Sequence, residues 1–97
     1  MFVEFTSRDS WENVAGVATD ISLGGMFIET SFPAAFGVSI LVGFTLPGHS
    51  TSMLVSGTVR WTGKNGMGVQ FGMLGAWETH AITEMQRGHA ASPSGVR

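Results

Sequence analysis

The feature that most constrains this chain is an alternation of apolar residues with small or polar ones, at a period of two. From Val38 to Leu46 an apolar residue occupies every second position. Because successive side chains of a β-strand point to opposite faces of a sheet, the pattern predicts a strand with one buried face. The period returns from Ser52 to Thr62, where the apolar face is formed by Met53, Val55, Val59 and Trp61.

Glycine residues separate the segments that show this alternation. Fourteen glycines stand at intervals along the 97 residues, a spacing typical of many short strands joined by turns. Asn65-Gly66 predicts a tight turn after the strand that ends at Thr62, and Gly57 is interpreted as a bulge or a bend. Six strands are predicted in all, at residues 2–6, 13–19, 26–30, 38–46, 52–62 and 67–71.

Six strands with one apolar face each predict an all-β domain whose sheet curls into a small barrel. Closure buries the apolar face and leaves no exposed sheet edge. Helical periodicity occurs only from Ala76 to Arg87, with Glu78 in the first turn near the positive end of the helix dipole. This helix is expected to cover one end of the barrel with a stripe formed by Trp77, Ala81, Ile82 and Met85.

The length of the chain allows a single hydrophobic core. We therefore predict one domain over residues 1–87, followed by a small, polar and disordered tail over residues 88–97. No disulfide or thiolate metal site is possible, since the chain has no cysteine. The apolar run at residues 40–44 is much shorter than the roughly 18 residues of a membrane helix, so we expect a cytoplasmic protein without membrane insertion.

Charge limits the partners that the chain can bind. Five Lys and Arg residues against seven Asp and Glu give a net charge of −2, and the basic residues are scattered singly. Nucleic-acid binders show clustered basic residues, so DNA and long RNA are not expected as partners. The apolar residues exceed what a core of this size requires, which favours a protein partner.

The sequence shows no pattern of a catalytic or metal site. His49, His80 and His89 lack the i, i+4 spacing of a zinc-binding helix, so no metal is predicted. A G-x-S-x-G nucleophile motif is absent, and Asp9 and Glu12 lie in a predicted exposed turn. We therefore expect a protein that is not an enzyme and that needs no cofactor.

The segment Asp20-Ile21-Ser22-Leu23-Gly24-Gly25, between the second and third strands, has two interpretations. Asp20 and Ser22 can turn their short polar side chains to one side, while the glycines let a flat ligand approach the backbone closely. Alternatively the segment is an Asx-type turn that is capped by its own side chains. The residue chemistry leaves both interpretations open.

The segment DISLGGMFIET resembles the D-x-S-x-x-G signature of PilZ domains, and GTVRWTGKNGMGVQFG resembles the strand pair near the C-terminus of that family. The resemblance implies a six-stranded antiparallel Greek-key barrel with a C-terminal helix. It also implies a non-enzymatic bacterial signalling domain that binds the second messenger cyclic di-GMP and regulates protein partners. An Asp carboxylate can accept two guanine N–H donors. The ligand-binding residues implied by this match are Asp20, Ser22 and Gly25, and Gly24 joins them as a candidate because it lets a ligand approach the backbone.

The family's site also contains an R-x-x-x-R segment before the first strand, whose guanidinium groups clamp phosphates. If residues 2–6 form the first strand, that segment would fall before Met1, and Arg8 lies beyond the strand in a turn. Each charge-assisted hydrogen bond is worth about 1.5 to 3 kcal/mol, so losing several lowers the affinity by roughly two to four powers of ten. We therefore expect an adaptor that binds cyclic di-GMP weakly or not at all.

Two alternatives to this adaptor stay open. One is a functional cyclic di-GMP receptor that uses Asp20, Ser22 and Gly25 with arginines from upstream or from a partner chain. The other is a barrel that binds an oligonucleotide or a peptide on an aromatic face with Trp11, Phe27 and Trp61.

A regulatory protein partner would bind apolar residues on otherwise polar surfaces. Leu41 and Leu54 lie on the polar faces of their strands, and residues 32–36 and the outer side of the helix offer further candidates. The alternative is that neighbouring loops pack over these residues. By family analogy the pathway would be motility, pili, exopolysaccharide or virulence control.

Overall fold

The computed structural model describes residues 1–7, 10, 12–46, 48 and 52–91, with side chains through residue 86. Six strands and one helix follow the predicted order. The bounds are β1 Phe2–Ser7, β2 Val14–Thr19, β3 Gly25–Glu29, β4 Ser39–Phe44, β5 Met53–Gly63, β6 Gly66–Phe71 and α1 Ala76–Ala91. The helix continues to Ala91, four residues past its predicted end, and the rest of the predicted tail, residues 92–97, lies outside the described residues.

The strands form a closed antiparallel barrel in the order β1-β2-β3-β6-β5-β4. β1 closes it by pairing with both β2 and β4. β3 pairs with β6, so the segment between β3 and β4 crosses an end of the barrel in a Greek-key connection. The predicted fold is thereby confirmed.

The barrel interior is filled by the apolar residues that alternation assigned to it. Along β4, Ile40, Val42 and Phe44 are buried, and Leu46 continues the same face beyond the strand. The helix contributes Ala81 and Ile82 to this core, as its periodicity predicts. Trp77, predicted on the same stripe, is 44% exposed because it stands in the first turn, before the helix meets the core.

The prediction that Trp61 shares the buried face of β5 is wrong. The register between β5 and β6 shifts between Val59 and Trp61, and this bulge turns the indole to the outside of the barrel. Gly57, interpreted as a bulge or a bend, lies instead in regular pairing with Phe71. A Cβ at Gly57 would come within 2.9 Å of the Gln70 carbonyl oxygen, so close packing explains this glycine.

The tight turn between β5 and β6 consists of Lys64 and Asn65, one residue before the predicted pair. Gly66 belongs to β6, where it lies opposite Glu29 of β3. A Cβ at Gly66 would lie 2.7 Å from the Ile28 carbonyl oxygen. The glycine is therefore required by the approach of two strands rather than by the turn.

Two leucines, one in the core and one on the outer face, provide a test of the core. Leu46 is 1% exposed and Leu54 is 64% exposed. We predict that Leu46→Ala lowers the free energy of unfolding by about 2.5 to 5 kcal/mol, since it leaves a cavity. Leu54→Ala should change it by less than about 0.5 kcal/mol. Urea denaturation of both variants measures the difference, and equal losses would contradict the assignment of Leu54 to the outer face.

Candidate ligand-binding site

The turn between β2 and β3 carries the candidate ligand-binding residues and is fixed to the barrel by its backbone. The Ser22 N–H donates to the Gly25 carbonyl at 2.8 Å. The Phe71 N–H, at the end of β6, donates to the Gly24 carbonyl at 2.9 Å. Because β6 lies next to β3 in the sheet, these bonds hold the turn in one position over the strand ends.

Ser22 uses its hydroxyl within the turn. The Gly24 N–H donates to the Ser22 Oγ at 3.2 Å, which is the local side-chain capping that the alternative interpretation of this segment expects. The hydroxyl can still donate its own proton, since a serine oxygen both accepts and donates. Ser22 therefore stabilises the turn and keeps one donor for a ligand.

Asp20 does not cap the turn. Among the described residues its carboxylate takes part in no hydrogen bond or ion pair, and the side chain is exposed. Its backbone φ is 52°, a left-handed conformation that Asp tolerates better than most residues. The side-chain capping of this turn is thus made by Ser22 and not by Asp20. Both oxygens of the Asp20 carboxylate face solvent without a partner in the described chain.

The two glycines of the segment differ in what surrounds them. A Cβ at Gly25 would lie 1.9 Å from the Val69 carbonyl oxygen and 3.2 Å from the Gln70 Cα, because β3 begins directly against β6. A Cβ at Gly24 would meet nothing closer than the Ser22 Oγ at 3.8 Å. Neither glycine has a left-handed φ. Gly25 is therefore required by packing, whereas Gly24 leaves open space that a ligand can occupy.

An arginine that sequence reasoning passed over lies on the outer face next to this turn. Gln70 pairs with Gly25, and its Oε1 accepts from the Arg60 Nε at 2.8 Å. Arg60 follows Val59, where the bulge begins. In the sequence Arg60 is one of five scattered basic residues. Only the strand order shows that it lies next to Gln70, which pairs with Gly25 of the signature.

Two aromatic residues continue the same outer face. Phe27 and Trp61 lie on either side of Gly68, and their ring centroids are 5.6 Å apart with the planes tilted by 43°. Tilted ring pairs of this spacing are favourable contacts. The Trp61 ring also folds over Gly63, where a Cβ would lie 2.6 Å from it. Phe27 and Trp61 thus contact each other, and Trp61 stays 54% exposed. Trp11, the third aromatic proposed as a stacking platform, lies outside the described residues.

Of the three histidines considered as metal ligands, the structure describes the side chain of His80 alone. No three His, Asp or Glu side chains gather closely enough among them to hold an ion. His80 is exposed on α1, whereas His49 and the side chain of His89 lie outside the described residues. Within the described ranges, the helix is neither long nor apolar enough to cross a membrane.

Comparison with known families identifies the class of this domain. A family model for the PilZ domain matches residues 2–82, which is most of the chain. This chain belongs to the PilZ domain family, as the signature at residues 20–25 implied. PilZ domains are non-enzymatic domains that bind cyclic di-GMP or act as adaptors. Among curated proteins, no sequence matches this chain.

Solved structures of PilZ proteins share the fold described above. The crystal structure of the PilZ domain of CeSA from a cellulose-synthesizing bacterium gives a TM-score of 0.72 at 18% identity, over 93% of this chain and 92% of that one. The Bacillus subtilis inhibitor of motility, MotI/DgrA, gives a TM-score of 0.72 at 17% identity, over 95% of this chain and 48% of that one. This chain therefore spans about half the length of MotI/DgrA.

The two glycines of the turn allow a matched pair of substitutions. We predict that Gly25→Ala lowers the free energy of unfolding by about 1 to 3 kcal/mol or more, since the new methyl group would overlap the Val69 carbonyl. Gly24→Ala should change it by less than about 0.5 kcal/mol. Thermal and urea unfolding of the two variants provides the measurement. A Gly25→Ala variant as stable as the parent chain would show that β3 does not begin against β6.

Proposed function

We propose that this chain is a cytoplasmic PilZ-type adaptor that regulates a partner protein through surface contacts. In this proposal its 97 residues bind cyclic di-GMP weakly or not at all. The observation that carries the proposal is that the 97 residues hold only part of the family's ligand site. The signature turn is present at residues 20–25, but the 97 residues contain no R-x-x-x-R segment.

Among the described side chains, one arginine lies near the signature, and it does not replace a clamp of two arginines. Cyclic di-GMP carries two phosphate charges, and Arg60 is the only arginine whose side chain the structure describes. Its Nε is already bonded to Gln70. One guanidinium in place of two removes several charge-assisted hydrogen bonds of about 1.5 to 3 kcal/mol each, which reduces affinity by roughly two to four powers of ten.

The descriptions of the similar solved structures support a regulatory role for this chain. One of them is described as an inhibitor of motility, and the other is a PilZ domain from a cellulose-synthesizing bacterium. Control of motility or of exopolysaccharide is therefore the proposed setting, and the exposed apolar residues of the barrel provide surface for a protein partner.

A second candidate function is a cyclic di-GMP receptor that uses Asp20, Ser22 and Gly25. The observation that favours it is that the Asp20 carboxylate is exposed and makes no hydrogen bond within the turn at residues 20–25. Open space at Gly24 and the Arg60 guanidinium beside Gln70 lie on the same side of the barrel. In this case arginines upstream of residue 1, or from a partner chain, would complete the phosphate clamp.

Adding the clamp tests the proposed function directly. We predict that calorimetric titration of the 97-residue chain with cyclic di-GMP shows no binding in the low micromolar range. A variant with an R-x-x-x-R segment joined ahead of Met1 should bind about two to four powers of ten more tightly. A matched extension that carries alanines instead of arginines should not gain affinity. Low micromolar binding by the unextended chain would overturn the adaptor proposal in favour of the receptor.

The role of Asp20 can be measured in any form of the chain that binds the nucleotide. We predict that Asp20→Ala weakens cyclic di-GMP binding at least about tenfold, since the carboxylate would lose two charge-assisted hydrogen bonds to guanine. Glu29→Ala is the control, because Glu29 is an exposed acid on the neighbouring strand and its loss changes the net charge equally. Equal affinity of both variants would mean that the signature serves the turn only.

A further inference from the structure

A group of apolar side chains lies exposed on the outer face formed by β1, β4 and β5 and on the segment that leads from β6 into α1. The group consists of Phe2, Leu41, Leu54 and Met73, and we call it the Leu54 patch. The expectation that neighbouring loops cover Leu41 and Leu54 is wrong, because both are exposed. Met73 is 98% exposed, and glycines at positions 72 and 75 flank its short linker.

The patch is continuous because Leu54 borders two open grooves. One groove, of about 460 Å³, lies over Gly43 between Phe2 and Leu54. Gly43 has no side chain to fill it, and its Cβ position lies 3.8 Å from the Leu54 Cδ1. The other groove, of about 210 Å³, is bordered by Leu41, Leu54 and Met73. The surface therefore offers two adjoining depressions that can each receive an apolar side chain.

Among the described residues, the charged side chains that line these grooves are all acidic. Glu4 lines the first groove, in the strand row that contains Gly43 and Leu54, and Glu78 lines the second. The two basic residues whose side chains are described, Arg60 and Lys64, line neither groove. Arg60 is bonded to Gln70, and Lys64 stands in the turn between β5 and β6. An incoming segment that carries Lys or Arg beside its apolar residues would match this surface.

A second copy of this chain fits the patch less well. A two-fold interface would place the same surface of both copies face to face, so that Glu4 and Glu78 of each would bring four carboxylates together. Burial of like charges opposes such a contact. The groove beside Phe27 and Trp61 matches a basic segment less well, because Lys64 lines it as well as Glu29.

We infer that the Leu54 patch is the docking surface for a basic amphipathic segment of the partner protein, with apolar side chains in the two grooves and Lys or Arg near Glu4 and Glu78. This inference rests on the proposed adaptor function and names the surface that performs it. Met73 suits such a contact, because an unbranched thioether side chain adapts to irregular partners.

Nuclear magnetic resonance with two synthetic peptides tests the inference. The first probe is an amphipathic helix of about 15 residues with Leu on one face and Lys on the other. The second has the same pattern with Glu in place of Lys. Titration into the ¹⁵N-labelled chain should shift the amides of Leu41, Leu54 and Met73 with the Leu/Lys peptide only. Binding should also weaken as salt is raised from about 0.1 M to about 0.5 M.

Two charge-matched variants locate the contact. Leu54→Lys should weaken binding of the Leu/Lys peptide at least about tenfold, since it removes an apolar contact and adds a repulsive charge. Phe36→Lys is the control, because Phe36 is 65% exposed, lies outside both grooves and changes the net charge equally. Urea unfolding shows whether each variant keeps the stability of the parent chain.

Several results would overturn the inference. These are equal binding of the Leu/Glu peptide, amide shifts confined to another surface, equal losses in the two variants, or no binding at all. A dimer in sedimentation that Leu54→Lys dissociates would assign the patch to a second copy instead. Failure of the peptide together with weak cyclic di-GMP binding would refute the patch and leave the adaptor function. Low micromolar nucleotide binding would refute the adaptor function whatever the peptide does.

Discussion

The pairing of β3 with β6 is the contact on which the candidate site depends. It places Gly25 against the Val69 carbonyl and lets the Phe71 N–H hold the Gly24 carbonyl. The same pairing aligns Gln70, with Arg60 bonded to it, beside the start of β3. Without this neighbour the signature turn would be an ordinary connection between two strands. The Greek-key strand order therefore creates the site, and the residues of the turn only complete it.

The sequence predicts most of the fold because alternation and glycine spacing are local signals. Strand positions follow from a period of two, and the buried residues of β4 follow from the same pattern. The bulge between Val59 and Trp61 carries no local signal, which is why the alternation places Trp61 on the buried face. The sequence predicts a bulge or a bend at Gly57 and a turn at Gly66, because close approach between strands depends on which strands are neighbours.

The candidate site is predictable only in part for a related reason. Asp20, Ser22 and Gly25 follow from a motif that is contiguous in the chain, but the motif does not say which member binds and which supports. Hydrogen bonds and packing separate them: Ser22 closes the turn, Gly25 permits contact with β6, and Asp20 has no structural partner in the described chain. Arg60 is forty residues from Asp20 in sequence, so its place near the signature required the barrel topology.

The signature turn and the Leu54 patch are neighbouring surfaces that use different residues. The Phe71 N–H holds the Gly24 carbonyl, and two residues later Met73 borders the second groove together with Leu54. Even so, Asp20 and Ser22 line neither groove. A domain that lacks its phosphate clamp can thus keep an intact protein-binding surface, since the physical requirements of nucleotide binding and of partner docking fall on different residues.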